Sequence, residues 1–162
     1  MEKLKIYVET SVISHLQHED VPEKMKDTLL FWDELKTGEY EVVISDVVLQ
    51  EIENCQQPKQ TVLLNYLEDI EYEVLHENDD VWSLATAYIK NGVLTQKRIN
   101  DCMHIAFATV NNCDVLVSWN FSHILRLSTI QGVRAVNLKN GYCDPIDIVQ
   151  PTMIRGECDE KA

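Results

Sequence analysis

The chain has 162 residues, with 14 basic and 27 acidic side chains and a formal net charge of −13. Hydrophobic residues make up 45% of it, which excludes a disordered or fibrous protein and suffices for the core of one domain. No apolar run approaches the ~20 residues that span a bilayer, so we expect no membrane segment. The first residues lack the apolar core and cleavage site of a secretory signal, which predicts a cytoplasmic protein.

The net charge and the cysteine pattern exclude further kinds of binding site. A pI near 4.7 means that the surface as a whole repels phosphates, so any nucleic-acid binding must depend on a local site. The five cysteines are odd in number and none are spaced as CxxC, which indicates neither a disulfide framework nor a zinc knuckle. The sequence also contains no P-loop, no Rossmann glycine fingerprint, no HExxH and no GxSxG motif.

Strands and helices alternate along the first half of the chain. In chain order, the pattern predicts a strand at 3–9, a helix at 22–38, a strand at 40–45, a helix from 46 to about 55 and a helix from 58. Thr10 and Ser11 are good capping residues for the turn after the first strand. Ser45 or Asp46 caps the helix that follows the second strand.

The second half repeats this alternation. It predicts a short strand at 72–75, a helix at 78–91, a long helix at 100–112, a buried strand at 115–119 and a last strand at 134–138. The alternation favours a three-layer α/β/α sandwich with a mainly parallel central sheet. We expect one domain over 1–150 and a flexible tail over 151–162.

Four polar residues lie at the end of a predicted strand, at the start of a predicted helix, or within the helix that follows a strand. Glu9 closes the first strand, Glu51 lies within the helix after the second strand, and Asp101 opens the long helix. Asn120 comes directly after the buried strand at 115–119. Because the carboxyl ends of parallel strands share one edge, these side chains can converge there. Three carboxylates and a carboxamide oxygen are ligands suited to Mg²⁺ or Mn²⁺, which predicts a metal site with catalytic function.

These residues lie in four segments that together resemble the successive motifs of PIN-domain proteins. The segments are Ile6–Val12 (IYVETSV), Ser45–Glu51, Asn100–Ala106 (NDCMHIA) and Leu116–Asn120 (LVSWN). The resemblance implies an α/β/α fold and a Mg²⁺- or Mn²⁺-dependent ribonuclease acting on single-stranded RNA. It also implies a homodimer and, in many members, a VapC-type toxin restrained by a small antitoxin.

The sequence departs from the usual family pattern at two positions. PIN domains usually have Asp where this chain has Glu9 and Asn120, although a branch of PIN-like toxins resembles it at both places. Glu9 keeps the charge on a longer side chain, and Asn120 keeps a carbonyl ligand without the charge. The remaining formal charge of −3 supports one cation readily, and a second would depend on substrate phosphate.

Weaker candidates surround these four. Thr10, Ser11, Arg98 and His123 are candidate substrate-binding residues, with helix capping and surface solvation as the alternatives. We expect His104 to be a hydrogen-bonded helix histidine rather than a ligand.

Three further expectations concern the surface. His15 and His18 are expected on an exposed helix face, and Lys97, Arg98 and Arg126 are where a basic strip for RNA would lie. The apolar helices around Trp32 or Leu63 and Leu64 are candidates for the dimer interface.

The leading hypothesis is therefore a metal-dependent endoribonuclease that acts on single-stranded RNA, as the toxin of a type II toxin–antitoxin pair. The alternative is a catalytically weakened PIN-like module that binds protein partners, because Asn120 and the negative charge would suit a basic partner. A third hypothesis is an acid-cluster phosphatase or a flap-type DNA nuclease.

Overall fold

The computed structural model describes residues 2–154 and contains five strands and seven α-helices in that range. The strands are β1 (Lys5–Val8), β2 (Glu41–Ser45), β3 (Glu73–Leu75), β4 (Val115–Val117) and β5 (Asp147–Val149). The helices are α1 (Thr10–Ser14), α2 (Pro22–Lys36), α3 (Asp46–Glu53), α4 (Lys59–Glu68), α5 (Asp79–Lys90), α6 (Ile99–Val110) and α7 (Leu127–Lys139). Short 3-10 helices occur at His15–Gln17, Gln96–Arg98 and Pro151–Met153.

The five strands form one sheet in the order β3-β2-β1-β4-β5, and every pair of neighbours is parallel. β1 is central, with Tyr7 in register with Val43 on one side and Leu116 on the other. These three residues are fully buried, as expected for a parallel sheet that is covered on both faces. The predicted three-layer α/β/α sandwich is confirmed.

Helix α6 is the most buried helix of the described chain. Every residue from Cys102 to Thr109 is buried, since α6 packs against α5 and α3 and contacts β4. Its first turn, which is only partly buried, carries Asp101. A helix held on so many sides is a rigid support for the side chains at its N-terminal end.

Two predictions about local structure are wrong. The segment Arg134–Leu138 belongs to α7, and the last strand is β5. The buried residues Thr129, Val133 and Val136 follow helical spacing, which a short apolar segment does not distinguish from a strand. The cap of α1 is Glu9, whose side chain accepts from the backbone amide of Ser11, rather than Thr10 or Ser11.

The predicted interface residues are largely internal. Trp32 and Leu63 are 1% and 0% exposed, so they belong to the core, whereas Leu64 is 40% exposed. The homodimer stays a prediction. In the described chain, no helix has the length and apolar content needed to cross a bilayer.

The predicted boundary at residue 151 falls partly outside the described residues. Pro151–Met153 form a 3-10 helix that packs against α2, and the hydroxyl of Tyr40 donates to the carbonyl of Ile154 at 3.2 Å. Residues 155–162 lie beyond the described range, so the predicted tail stays a prediction.

Candidate active site at the carboxyl edge of the sheet

The carboxyl ends of the three middle strands bring distant polar residues together. Glu9 follows β1, Ser45 ends β2 and caps α3, and Ser118 follows β4. Helix α3 then carries Glu51 to the same edge, and α6 carries Asp101 and His104 to it. The topology therefore accounts for the convergence that the parallel arrangement predicted.

The carboxylate of Glu9 is buried and fixed by hydrogen bonds to both oxygens. The Ser11 amide donates to Oε2 at 2.8 Å, and the hydroxyls of Ser11 and Ser118 each donate to Oε1 at 2.6 Å. Glu9 is only 4% exposed. These donors offset the cost of removing the carboxylate from water, and they hold it in one orientation.

The carboxylate of Glu51 is held by two donors at the same oxygen. Thr10 Oγ1 donates to Oε1 at 2.7 Å, and His104 Nε2 lies 2.7 Å from that oxygen. Partial burial alone would raise the pKa of Glu51, but the hydrogen bonds and the positive charge of His104 lower it below its ordinary value. Glu51 is therefore kept as a carboxylate.

His104 connects Glu51 to a buried pair of hydroxyls. Its Nδ1 lies 2.7 Å from the Tyr7 hydroxyl, which lies 2.7 Å from Ser45 Oγ. Full burial would lower the pKa of His104, but the Glu51 hydrogen bond and the charges of Glu9, Glu51 and Asp101 raise it. Burial raises the pKa of Tyr7 well above its usual range, so this hydroxyl keeps its proton.

Asp101 and Asn120 face each other at the open side of the cluster. Burial raises the pKa of Asp101; the charge of His104 opposes this shift, and the charge of Glu9 adds to it. The Asn120 amide donates from Nδ2 to Asp101 Oδ1 at 3.4 Å, while its Oδ1 accepts from the His123 amide at 2.9 Å. Because that backbone amide can only donate, the orientation of the Asn120 carboxamide is fixed.

This donor set fits a divalent cation. Ligand atoms of Glu9, Glu51 and His104 all lie within 4.8 Å of one another. Among residues 2–154, Oε2 of Glu51 and Oδ2 of Asp101 accept no hydrogen bond. Both nitrogens of His104 already face hydrogen-bond partners, so the carboxylate oxygens are the better ligands and His104 orients one of them.

The structure places the weaker candidates in different surroundings. Thr10 and Ser11 bind the carboxylates of Glu51 and Glu9, which is a positioning role. His123 is half-buried, and its charge acts on Asp101. Arg98 is exposed just before α6, and no contact with the cluster joins it within the described residues.

The expectation of an exposed pair at His15 and His18 is wrong. Both side chains are half-buried, their rings lie 4.7 Å apart, and His15 Nδ1 lies 2.7 Å from the Ser11 carbonyl oxygen. A 3-10 helix at His15–Gln17 follows α1, and the His15 ring lies 6.1 Å from the Trp119 ring, a contact that helical spacing did not show.

The sequence predicted the capping role of Ser45, but not its bond to Tyr7 or the roles of Tyr7 and Ser118. A tyrosine in an otherwise aliphatic central strand was a signal, because a buried hydroxyl requires a partner. Ser118 stands directly before Trp119 and Asn120, so its place after β4 was visible, but its bond to Glu9 spans 109 residues.

The sequence profile of the PIN domain matches residues 6–121, from β1 to just beyond Asn120. The chain belongs to the PIN-domain family. PIN domains are generally nucleases that use divalent metal ions. The matched range contains every acidic residue of the cluster described above.

A solved structure agrees with this assignment of the fold. The PIN domain is similar to a chain in the crystal structure of VapBC2 from Rickettsia felis bound to a DNA fragment from their promoter. The TM-score is 0.52 at 13% identity, and the similarity covers 91% of this chain and 98% of that one. No curated protein is similar enough in sequence to give a match.

Proposed function

We propose that this PIN domain is a metal-dependent endoribonuclease that cleaves single-stranded RNA. The observation that carries the proposal is the cluster of Glu9, Glu51 and His104 within 4.8 Å at the carboxyl edge, with Asp101 beside it. The pKa of Asp101 is raised partly by the charges of Glu9 and Glu51, which is the mutual repulsion that a bound cation would relieve.

Glu9, Glu51 and Asp101 would hold Mg²⁺ or Mn²⁺, directly or through water. The carbonyl of Asn120 accepts from the His123 amide, so Asn120 would join the set as a ligand only after its carboxamide turned over. Bound there, the cation would supply charge neutralisation at the phosphate and increase the acidity of water. The carboxylates are held for this role before any ligand arrives, Glu9 by Ser11 and Ser118, and Glu51 by Thr10 and His104.

Asp101 is the carboxylate best suited to accept the proton of the attacking water. Its Oδ2 accepts no hydrogen bond in the described chain, which leaves that oxygen available to a water molecule at the site. The water oxygen forms a bond to phosphorus, the bond from phosphorus to the leaving ribose oxygen breaks, one proton of the attacking water passes to Asp101, and the leaving oxygen takes a proton from solvent.

The biological role that we propose is the toxin of a type II toxin–antitoxin pair, acting in the cytoplasm as a homodimer with a small antitoxin partner. Its support is the family and the similarity of the fold to a VapBC2 chain. The net charge of −13 favours a partner with a basic segment.

Metal titration and RNA cleavage test the proposal together. Calorimetry should show that the wild type binds Mn²⁺ at millimolar or lower concentration, and a cleavage assay should show that it cuts single-stranded RNA. Asp101→Asn should lose both properties. Structured DNA and small phosphomonoesters should not be substrates. A wild-type protein that neither binds Mn²⁺ nor cleaves RNA would contradict the enzyme assignment.

One observation favours a second candidate, a weakened PIN module that acts through protein binding. Asn120 presents its amide to Asp101, where an aspartate would add negative charge. Restoring that charge separates the candidates: if Asn120→Asp creates Mn²⁺ binding and cleavage that the wild type lacks, the natural protein is the weakened module.

A further inference from the structure

Five side chains form a cluster beside the candidate active site that none of the catalytic roles explains. The Trp119 and Phe121 ring centroids lie 6.2 Å apart, and the Lys24 ammonium lies 5.6 Å from the first and 5.0 Å from the second. The His15 ring lies 6.1 Å from Trp119 and 4.7 Å from the His18 ring. We call these five residues the aromatic platform.

The aromatic platform is joined to the site by short contacts. The Trp119 amide donates to Ser11 Oγ at 2.8 Å, and that same hydroxyl donates to Glu9. Trp119 and Phe121 flank Asn120, whose amide reaches Asp101. A molecule whose phosphate lies at the carboxylates therefore has the platform as its neighbour.

One ring of the platform is fixed and another is open. Trp119 is 7% exposed, and its indole Nε1 donates to Thr28 Oγ1 at 2.8 Å inside the protein. Phe121 is 45% exposed, which leaves ring surface available to a ligand. The exposed phenyl ring lies beside the fixed indole with the two ring planes tilted by 48°, and an exposed aromatic ring is a suitable surface for stacking a flat group.

Charge indicates what that flat group is. The platform includes the ammonium of Lys24, which lies against both rings, whereas the whole chain carries −13. Lys24 thus places one positive charge against both rings of an acidic protein, which favours a ligand with phosphates. Because electrostatic attraction to the chain as a whole is unavailable, base stacking must supply much of the affinity.

We propose that Phe121 stacks on the RNA base adjacent to the cleaved phosphodiester, with Trp119 as its rigid support and Lys24 binding the neighbouring phosphate. The inference rests on the proposed function, since it names how the same site holds single-stranded RNA. An unpaired base presents the free face that stacking requires, so the platform would select single strands over duplexes.

The first test is Phe121→Ala against Trp82→Ala. Trp82 on α5 is also 45% exposed, so it is a matched control for losing an exposed aromatic side chain. Phe121→Ala should raise KM and the Kd for fluorescent single-stranded RNA about tenfold, within the range for base-stacking aromatics. Its kcat and Mn²⁺ affinity should stay unchanged, Phe121→Tyr should restore KM, and Trp82→Ala should have no effect.

The second test locates the base. A substrate series with one abasic nucleotide at each position should show one position, next to the cleaved bond, where removal of the base costs the wild type about tenfold in Kd. Phe121→Ala should be insensitive to the abasic nucleotide at that position only. Equal sensitivity of the wild type and the variant at every position would overturn the stacking assignment.

Lys24 is tested by salt. Lys24→Ala should lower the slope of log Kd against log salt concentration by about 1, which corresponds to the loss of one phosphate contact. Lys90→Ala, on α5, is the matched control and should leave the slope unchanged. An unchanged slope for Lys24→Ala would show that Lys24 contacts no phosphate.

The outcomes separate this inference from the proposed function. If the wild type cleaves RNA and Phe121→Ala keeps its KM, the stacking site is wrong and the nuclease stands. If RNA is bound through Phe121 but not cleaved, the stacking site stands and the nuclease is wrong; no RNA binding at all contradicts both. If Phe121→Ala binds an Arg-rich peptide more weakly but RNA equally well, the platform is a protein-binding surface.

Discussion

Both edges of the sheet carry acidic residues, but these residues are exposed at the amino edge and buried or partly buried at the carboxyl edge. At the amino edge, a cavity of about 680 Å³ is lined by acidic residues and two lysines: Glu2, Glu41, Glu71, Glu73, Asp114, Lys3 and Lys5. All of these acidic residues are exposed. At the carboxyl edge, Glu9 is buried and the pKa values of Glu51, Asp101 and His104 are shifted. A group of acidic residues and a large cavity do not by themselves make a site; burial and fixed orientation do.

The largest difference between substitutions at the two edges should be in kcat for RNA cleavage. Glu9→Gln removes a charge from the buried cluster, and we expect at least about a 100-fold loss of kcat on single-stranded RNA, since even outer partners of metal ligands cost 10–100-fold. Glu73→Gln makes the same change among exposed acids and should leave kcat unchanged. Equal losses would remove the distinction between the edges.

Stability should also differ between the edges. His104→Ala leaves the Glu51 carboxylate and the Tyr7 hydroxyl without their shared partner, and we expect a loss of about 3 kcal/mol in the free energy of unfolding. Lys5→Ala removes a hydrogen bond from Nζ to the Asn111 carbonyl at the amino edge, which should cost about 1 kcal/mol. Urea denaturation measures both, and a smaller loss for His104→Ala than for Lys5→Ala would contradict the expectation.

The contribution of the Glu51–His104 pair should depend on pH. The folded-state pKa of Glu51 is lowered, so its contribution is present above its ordinary value of 4.5 and is lost as pH falls through the folded pKa. The pKa of His104 is raised, so its contribution is complete below 6.5 and is lost as pH rises through the folded pKa.

The difference in unfolding free energy between wild type and His104→Gln should therefore be largest between pH 4.5 and 6.5. Urea denaturation across pH 3–9 measures it. A difference that stays constant over that range would show that the two side chains do not form a charged pair.

The smallest effect that we expect is a change in the urea midpoint, which should rise for a substitution at the carboxyl edge and fall for one at the amino edge. Burial and the charges of Glu9 and Glu51 raise the pKa of Asp101, so its charged form is unfavourable at neutral pH, and Asp101→Asn should raise the urea midpoint. Asp114 accepts a hydrogen bond from the Lys5 amide at 2.8 Å, and Asp114→Asn should lower the midpoint slightly. A lower midpoint for Asp101→Asn would show that its charge is stabilised where it lies.

The sequence predicted the sheet and the edge at which polar residues meet. Alternating strands and helices indicate a parallel sheet, and the carboxyl ends of parallel strands lie at the same edge. It predicted His104 as a hydrogen-bonded helix histidine, and the bonds to Glu51 and Tyr7 agree. It did not predict Glu51 as that partner, since the contact depends on how α3 and α6 pack together.

Other features were beyond pattern analysis for identifiable reasons. Glu9 was interpreted as the end of a strand, yet it also caps α1, and only the backbone conformation at the turn shows this. Arg134–Leu138 was assigned to a strand because a short segment with few apolar residues does not distinguish helical from strand spacing. The metal-ligand roles of Glu9, Glu51, Asp101 and Asn120 stay predictions until metal binding is measured.

The bond between Glu9 and Ser118 has a consequence for synthesis of the protein. Ser118 is made 109 residues after Glu9, and β1 cannot pair with β4 until Val115–Val117 have been translated. The acidic centre is therefore incomplete while the nascent chain carries only its first two-thirds. If the chain has the proposed ribonuclease activity, the ribosome would meet a complete acidic centre only after most of the chain has been made.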